Sequence, residues 1–301
     1  MNPSTQTFEA NRSTLFYTAY RMLGSAMEAE DMVQETYLRF VAKVGVVKSP
    51  QAFLTTIITR LCLDHLKSAR VQREQYIGPW LPEPIMTDNL PAQVVIQKET
   101  LTMAYLMLLE KLSPVERAVF LLRETFAYSY AEIADIVGKN EVNCRQLYSR
   151  AKKQLGSSHP QLKTTTSAQH QTIAEFMQAL SDGDANKMMQ LLAPNVTIWS
   201  DGGGKVTAAR RPVHGQDAVA RFMQGIFRLR RDDLQVEMVE TNGTQSLLLT
   251  VQGQIIGVMN FLIAADQIQE ICTVLNPDKL TLLQAGGKSN GRYLSRNHTP
   301  S

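Results

Sequence analysis

The sequence is poor in cysteine, and its three cysteines, Cys62, Cys144 and Cys272, are widely spaced. An odd number of cysteines without a CxxC pair or a Cys/His cluster supports neither a disulfide framework nor a metal site. No apolar run is long enough to span a membrane, and the first residues, MNPSTQTFEANR, lack the apolar core of a signal peptide. We therefore expect a cytoplasmic protein that needs no metal or other cofactor and makes no membrane contact.

The net charge is also small, because 31 Lys and Arg residues against 28 Asp and Glu residues leave only +3. A field this weak does not attract nucleic acid over the whole surface, so any such binding must come from local patches. With 301 residues, 44% of them hydrophobic, the chain is long enough for two or three domains with separate cores.

The clearest pattern in the chain is SYAEIADIVGKNEVNCRQLYSRAKK, residues 129–153, which predicts two short helices joined by a tight turn. Ser129 and Glu132 have the spacing of a capping box. Gly138 can take the positive φ that ends a helix, and Asn140 can cap the next helix. The side chains predicted to face inward are Ile133, Ala134, Val137, Val142, Leu147 and Ala151.

The second of these helices carries side chains that suit DNA. Arg, Asn and Gln hydrogen-bond to base edges in a major groove, while Lys and Arg neutralise phosphates. Residues 139–153 contain five basic residues and one acidic residue. The pattern favours DNA binding over an ordinary helix pair with a solvated basic face. The candidate DNA-binding residues are Asn143, Arg145, Gln146, Tyr148, Arg150 and Lys152.

Two earlier segments also predict amphipathic helices. The run AMEAEDMVQETYLRFVAKV follows a break at Gly24-Ser25. Its predicted apolar side consists of Met32, Val33, Tyr37, Leu38 and Val41. Its opposite side consists of Glu28, Glu30, Asp31, Gln34 and Glu35. That acidic side is either a solvated surface or a docking face for a basic partner. A second helix begins at Pro50, apolar in its first half and basic in its second, which suits packing at one end and phosphate contact at the other.

The remainder of the chain divides at two polar segments. Three prolines, a glycine and a tryptophan end the helical pattern after Ile77, and we expect Trp80 and Leu81 to dock on the protein surface. A polar linker follows Gly156. Beyond it we expect two helices split at residues 181–184, a strand over 195–200, a helix over 215–227 and four further strands. Helices followed by an antiparallel sheet indicate an α+β domain of about a hundred residues.

In this order the motifs resemble an extracytoplasmic-function (ECF) sigma factor, a bacterial subunit that directs RNA polymerase to promoters. AYRMLGSAMEAEDMVQE is similar to region 2 of that family, and LSPVERAVFLLRETFAYSYAEIADIVGKNEVNCRQLYSRAKKQL to region 4. Three further motifs are similar to those of the group that carries a fused SnoaL-like domain of the NTF2-like fold. They are Trp80-Leu81-Pro82-Glu83-Pro84, Asp201-Gly202-Gly203-Gly204-Lys205 and Asn276-Pro277-Asp278-Lys279-Leu280.

The resemblance implies two all-α sigma domains, the second with the helix-turn-helix, followed by an α+β SnoaL-like cone. The implied division is region 2 over residues 8–76, a linker with the WLPEP motif over 77–99 and region 4 over 100–156. A second linker covers 157–170, the SnoaL-like domain 171–281 and a flexible tail 282–301.

The resemblance also assigns roles by position. Asp31, Gln34 and Glu35 would contact core RNA polymerase. Residues that would melt and read the promoter −10 element are Lys48, Arg60, Asp64, Lys67, Arg70 and Arg73. The helix that begins at Asn140 and Glu141 would enter the −35 major groove. The WLPEP, DGGGK and NPDK motifs would mediate a regulatory contact in cis between the C-terminal domain and the sigma domains. The free protein is expected to be a monomer.

Two other functions are considered. NTF2-like domains include enzymes with an Asp general base, and the candidates here are Asp182, Asp184, Asp201 and His214. They form no acid/base pair at convincing spacing, so we expect no catalysis. A pocket in the cone that binds a small ligand is kept as an alternative. The alternative to a sigma factor is a stand-alone helix-turn-helix regulator whose C-terminal domain senses a small ligand.

Overall fold

Helices form the first half of the chain, and a single sheet with helices forms the second. The structure, a computed structural model, describes residues 3–43, 47, 49–87, 98–156, 166–229 and 232–286. Contacts divide the chain into two units. The helical unit comprises Met1–Gln75 and Tyr105–His159, and the sheet unit comprises Tyr76–Ala104 and Pro160–Ser301. The segment between the two helical parts therefore packs with the sheet.

The helical unit begins with three helices, α1 (Pro3–Leu23), α2 (Ala26–Val41) and α3 (Pro50–Glu74). After a 3-10 turn at Lys98–Leu101 come α4 (Met103–Glu110), α5 (Pro114–Phe126), α6 (Tyr130–Val137) and α7 (Glu141–Leu155). Among the described residues, no helix is long and apolar enough to cross a membrane.

Local sequence signals set the ends of these helices. Ser25 caps α2 by accepting a hydrogen bond from the Glu28 amide at 3.1 Å. Ser129 and Glu132 form the predicted capping box, in which each side chain bonds to the backbone N–H of the other residue. Ser113 and Glu116 form a second capping box at the start of α5. The hydrogen bonds to Ser129 lower the pKa of Glu132, since they favour its ionised form.

The sheet unit follows with α8 (Thr166–Asp182), α9 (Ala185–Leu191), β1 (Leu192–Asp201), β2 (Val213–His214) and α10 (Gln216–Arg228). Its remaining strands are β3 (Leu234–Thr241), β4 (Thr244–Val251), β5 (Gln254–Ala264) and β6 (Gln267–Val274). A 3-10 turn at Pro277–Leu280 and α11 (Thr281–Gly286) complete it. The predicted order of helices and strands in this part of the chain is confirmed, except that β2 and α11 were not predicted.

The six strands form one sheet in the order β2-β1-β6-β5-β4-β3. Strands β3 to β6 make an antiparallel meander, but β1 lies parallel to β6. The prediction of an antiparallel sheet is therefore confirmed for β3 to β6 and wrong for β1, and the sheet is mixed. Alternating hydrophobicity identifies a strand and its two faces, whereas it carries no information on the direction of a neighbour distant in sequence.

The core of the sheet unit lies between one face of the sheet and helices α8 to α10. Met259, Phe261 and Ile263 alternate along β5 and point into it, where they join Phe176 of α8 and Met223 of α10. When one face of a sheet packs on helices, its other face is exposed to water or is covered by another part of the protein. In this protein the strand β5 is buried on both faces over residues 257–261, so the second face is covered as well.

Candidate functional site

The helix-turn-helix consists of α6 and α7, and its turn uses the predicted glycine and asparagine. Gly138 ends α6 with a φ of +67°, a conformation that costs glycine little. Asn140 then caps α7 by accepting a hydrogen bond from the Asn143 amide at 2.8 Å. Cys144, Leu147 and Ala151 are buried, so α7 is held on α5 and α6 by one face. The predicted helix-turn-helix is confirmed.

The predicted DNA-binding residues divide between the outer face and the sides of α7. Arg145 and Gln146 are exposed, and Arg145 bonds to Glu141 one turn earlier. Lys152 is exposed, while Asn143 is half-buried. Tyr148 and Arg150, by contrast, are engaged with α5 and its C-terminal turn.

Three contacts hold these residues against α5. The Tyr148 hydroxyl donates to Glu124, and its ring stacks on Phe120 with centroids 6.1 Å apart. Arg150 lies 3.6 Å from Glu116. Tyr148 therefore supports the packing of the helix-turn-helix, and the largely exposed Arg150 adds a weaker contact.

The side chain of Val142 lies on the opposite face of α7 from the one predicted. It was predicted to point inward, but its side chain is 65% exposed. The buried position in this turn of α7 belongs to Cys144 instead. The two positions differ by two residues, about 200° around a helix, so an error of this kind moves a side chain from one face to the opposite one.

The outer face of α2 carries the predicted polymerase-binding residues. Asp31 and Gln34 are exposed, and Glu35 pairs with Arg39 at 2.7 Å. Leu38 and Val41 were predicted to lie on the apolar side, yet they are 58% and 42% exposed. The buried side of α2 consists of Ala26, Ala29, Val33, Thr36 and Phe40.

The predicted −10 residues on α3 are described only in part. Asp64 and Lys67 form an exposed ion pair at 2.7 Å. Arg70 and Arg73 lie in the C-terminal part of α3, where the side chains are not among the described features, and Lys48 lies outside the described residues.

Arg60 has a defined and unpredicted set of partners. It donates from Nε to the Ile136 carbonyl at 3.0 Å and from a terminal nitrogen to the Asp135 carbonyl at 2.7 Å. These carbonyls belong to the last turn of α6, where backbone acceptors have no partner within the helix. Arg60 of α3 therefore caps the C-terminus of the first helix of the helix-turn-helix.

A second arginine makes the reciprocal contact. Arg117 of α5 is 3% exposed and donates to the Met22 carbonyl in the last turn of α1 at 2.6 Å. It also pairs with Glu110 at 2.7 Å. Each half of the helical unit thus supplies one guanidinium to a helix end of the other half.

The DGGGK and NPDK motifs meet in the sheet unit around a buried carboxylate. Asp201 is 0% exposed, and its carboxylate accepts from Lys279 Nζ at 2.7 Å. It also accepts from the Tyr76 hydroxyl at 2.5 Å, the Leu81 amide at 2.9 Å and the Gly203 amide at 3.1 Å. A buried charge requires this degree of pairing and hydrogen bonding to persist.

Lys279 completes the attachment of the WLPEP segment. Its ammonium group also donates to the Leu81 carbonyl, and it lies 4.0 Å from the centre of the Trp80 ring and 5.0 Å from that of Tyr76. The Leu81 backbone is thus bonded through both its N–H and its C=O. Burial and then the hydrogen bond to Asp201 raise the pKa of Tyr76. The predicted docking of Trp80 and Leu81 is confirmed.

The glycines of DGGGK permit close approach within the same unit. A Cβ on Gly203 would lie 2.4 Å from the side-chain nitrogen of Asn276, and one on Gly204 would lie 2.8 Å from Ile77. Both glycines have positive φ. Lys205 pairs with Asp278 at 2.5 Å. The charges that meet Asp201 and Lys205 therefore come from the NPDK motif.

A second attachment lies further along the same segment. Asn242 is fully buried, accepts from the Ile85 amide at 3.2 Å and donates to the Leu101 carbonyl at 3.0 Å. Thr87 bonds through its backbone to Glu240 and through its hydroxyl to the Gly243 amide. A small cavity near this point is lined on one side by residues 102–104 and on the other by Asn260 and Cys272. The segment therefore covers the second face of the sheet.

The candidate acid/base residues do not converge. Asp184 caps α9, Asp182 bonds to Gln178, and Asp201 is neutralised by Lys279. His214 contacts the Thr197 hydroxyl on the exposed edge of the sheet, at 3.0 Å. Each carboxylate has a structural partner, which matches the expectation that they are not a catalytic set.

Comparison with known proteins assigns the family. Residues 7–71 match "Sigma-70 region 2", residues 102–155 match "Sigma-70, region 4" and residues 173–256 match "SnoaL-like domain". The chain is 40% identical to the ECF RNA polymerase sigma factor SigJ of Mycobacterium tuberculosis over 226 residues, which cover 73% of this chain and 72% of that protein. The chain is an ECF sigma factor.

Further comparisons agree with this assignment. The sigma factor is 32% identical to the probable ECF sigma factor SigI of M. tuberculosis over 94% of this chain and 97% of that one. The crystal structure of M. tuberculosis SigJ superposes with a TM-score of 0.75 at 32% identity, covering 92% of this chain and 98% of that chain. Sigma factors direct RNA polymerase and are not enzymes, so the expectation of no catalysis is confirmed. The predicted fold, sigma regions 2 and 4 followed by a SnoaL-like domain, is confirmed too.

Several residues that organise the sigma factor were not found from its sequence. Tyr76, Asn242 and Arg117 each act on a partner at least 95 residues away. Helical and strand periodicity report only on residues close in sequence. The periodicity around Tyr76, Asn242 and Arg117 therefore gives no sign of their distant partners. The signals that pointed to the site in the sheet unit were the tryptophan in a proline-rich segment and the three motifs recognised by resemblance.

Proposed function

We propose that the sigma factor docks on core RNA polymerase through the outer face of α2. Asp31 and Gln34 lie in one row with Leu38 and Val41, at spacings of three and four residues along the helix. Exposed apolar side chains in line with an acidic and an amide side chain suit a protein interface better than a solvated surface. This row is the observation that supports polymerase docking over the simpler alternative of a solvated helix.

We further propose that the two DNA elements are bound by α7 and α3. The outer face of α7 would enter the −35 major groove, with Arg145 and Gln146 toward the bases and Lys152 toward phosphate. The exposed Lys67 of α3, together with Lys48, Arg70 and Arg73, would contact the −10 element. Both elements would be engaged by the same polymerase-bound molecule in the cytoplasm.

Run-off transcription with purified bacterial core polymerase tests polymerase docking. A variant with Asp31→Lys and Glu35→Lys reverses two charges on the exposed face without touching the buried side of α2. We expect it to lose polymerase binding by at least a hundredfold and to lose transcription, since like charges across an interface cost several kcal/mol.

The matched control is Glu237→Lys, which places the same change on an exposed position of β3. It should retain binding and transcription. Retained polymerase binding by the α2 variant, with an unchanged circular dichroism spectrum, would sink the docking proposal and favour a stand-alone regulator.

We also propose that the SnoaL-like domain regulates the sigma factor in cis. The observation that supports this is the attachment of the segment between the two sigma regions to the sheet unit, through Asp201, Lys279 and Asn242. A segment fixed on a third domain restricts the positions available to the regions at its two ends. Core side chains fill the inner face of the sheet, which is where the ligand-sensing alternative would place its pocket.

Truncation tests regulation in cis. We expect a chain ending at Lys163 to initiate at a rate at least severalfold different from that of the full chain on the same promoter. A higher rate identifies an inhibitory domain and a lower rate an assisting one. The variant Leu81→Asp should shift the rate in the same direction with the domain still present, because Leu81 is fully buried. Equal rates for all three proteins would contradict the proposal.

A further inference from the structure

The centre of the outer face of α7 is occupied by an apolar side chain. The buried face of this helix contains Cys144, Leu147, Ala151 and Leu155. At 100° per residue, Val142 lies opposite the middle of that face. Its 65% exposure agrees with this position.

The residues that share this outward row are polar. Gln146, Ser149 and Lys153 follow Val142 at intervals of four, seven and eleven residues, and all three are exposed. An amide, a hydroxyl and an ammonium group are suited to base edges and phosphates. Val142 stands at the N-terminal end of the row, which is the part of a recognition helix that reaches the bases.

An exposed valine at this place has no role in the stability of the domain. A β-branched residue is a weaker helix former than alanine, and an exposed side chain gains little from burial. The major groove presents one apolar group, the 5-methyl group of thymine. Resting on the proposed −35 contact of α7, we propose that Val142 reads a thymine in the −35 element through contact with this methyl group.

Single-group replacement in the DNA tests the proposal. Holoenzyme made with the full-length sigma factor selects promoters from a pool randomised across the −35 region. Each thymine of the enriched −35 sequence is then replaced singly by deoxyuridine, which removes only the methyl group. We expect one replacement to weaken holoenzyme binding about fourfold, the effect of one buried methyl group.

The variant Val142→Ala should bind the thymine and deoxyuridine forms of that promoter equally, because the contact is absent in both. Val236→Ala, an exposed valine of β3, should keep the fourfold ratio. Transcription from the enriched promoters with no dependence on any thymine methyl group would overturn the proposal and leave the sigma function intact. The same ratio in the wild-type and Val142→Ala proteins would also overturn it. Failure to enrich any promoter would count against the proposed −35 contact itself.

Discussion

Replacing Lys279 with methionine should destabilise the sheet unit by about 3–5 kcal/mol, since it leaves the buried carboxylate of Asp201 without its cation. Methionine preserves much of the length and apolar surface of the lysine stem, so the loss comes mainly from the charge. The chain has two tryptophans, Trp80 and Trp199, and both belong to the sheet unit. Urea unfolding followed by tryptophan fluorescence therefore reports on this unit alone.

A matched control is available in the neighbouring ion pair. Lys205→Met removes a cation from Asp278, but both side chains of that pair are more than half exposed. An exposed pair contributes at most about 1 kcal/mol, so the unfolding midpoint should move little. If Lys279→Met shifted the midpoint no more than Lys205→Met, Asp201 would not depend on its cation. Adding Asp201→Asn to Lys279→Met should recover part of the lost stability.

The second large effect is expected in the helical unit. Arg117→Met removes the cap on the Met22 carbonyl and the ion pair with Glu110, at a cost of about 3 kcal/mol. Hydrogen exchange of the intact chain resolves this effect, because protection should fall in α1, α4 and α5 and stay unchanged in β4 to β6.

Arg150→Met is the corresponding control. Its guanidinium faces Glu116 at 3.6 Å and is largely exposed, so its loss should change protection by less than about 1 kcal/mol. Equal protection in the two variants would show that the Arg117 contact does not stabilise the helical unit.

Local chemistry explains which parts of the fold the sequence could predict. Ser129, Gly138 and Asn140 act within one turn of their own positions, and each was identified. Leu38 and Val142 were assigned to the wrong face, because a run with several apolar residues fits more than one helical stripe. The packing of distant elements decides between the stripes, and it buries Thr36 in preference to Leu38.

The site in the sheet unit was predicted through its motifs but not through its partners. The WLPEP, DGGGK and NPDK motifs were recognised by resemblance, and the sequence alone supplied only the docking of Trp80 and Leu81. That Asp201 lies close to Lys279 follows from the parallel pairing of β1 with β6, which places the C-terminal ends of both strands at one end of the sheet. No periodic pattern contains that pairing.

With Arg60 in the −10 role that the resemblance predicts, promoter recognition would be a linked equilibrium. Arg60 holds the end of α6 through two hydrogen bonds, and moving its guanidinium from α6 to DNA would break both of them. Binding of the −35 element that draws the helix-turn-helix away from α3 would free Arg60 for the −10 element. By reciprocity, −10 engagement would favour −35 binding by the same factor. The two halves of a promoter would then be bound cooperatively, with the strength of the α6 cap setting the size of the coupling.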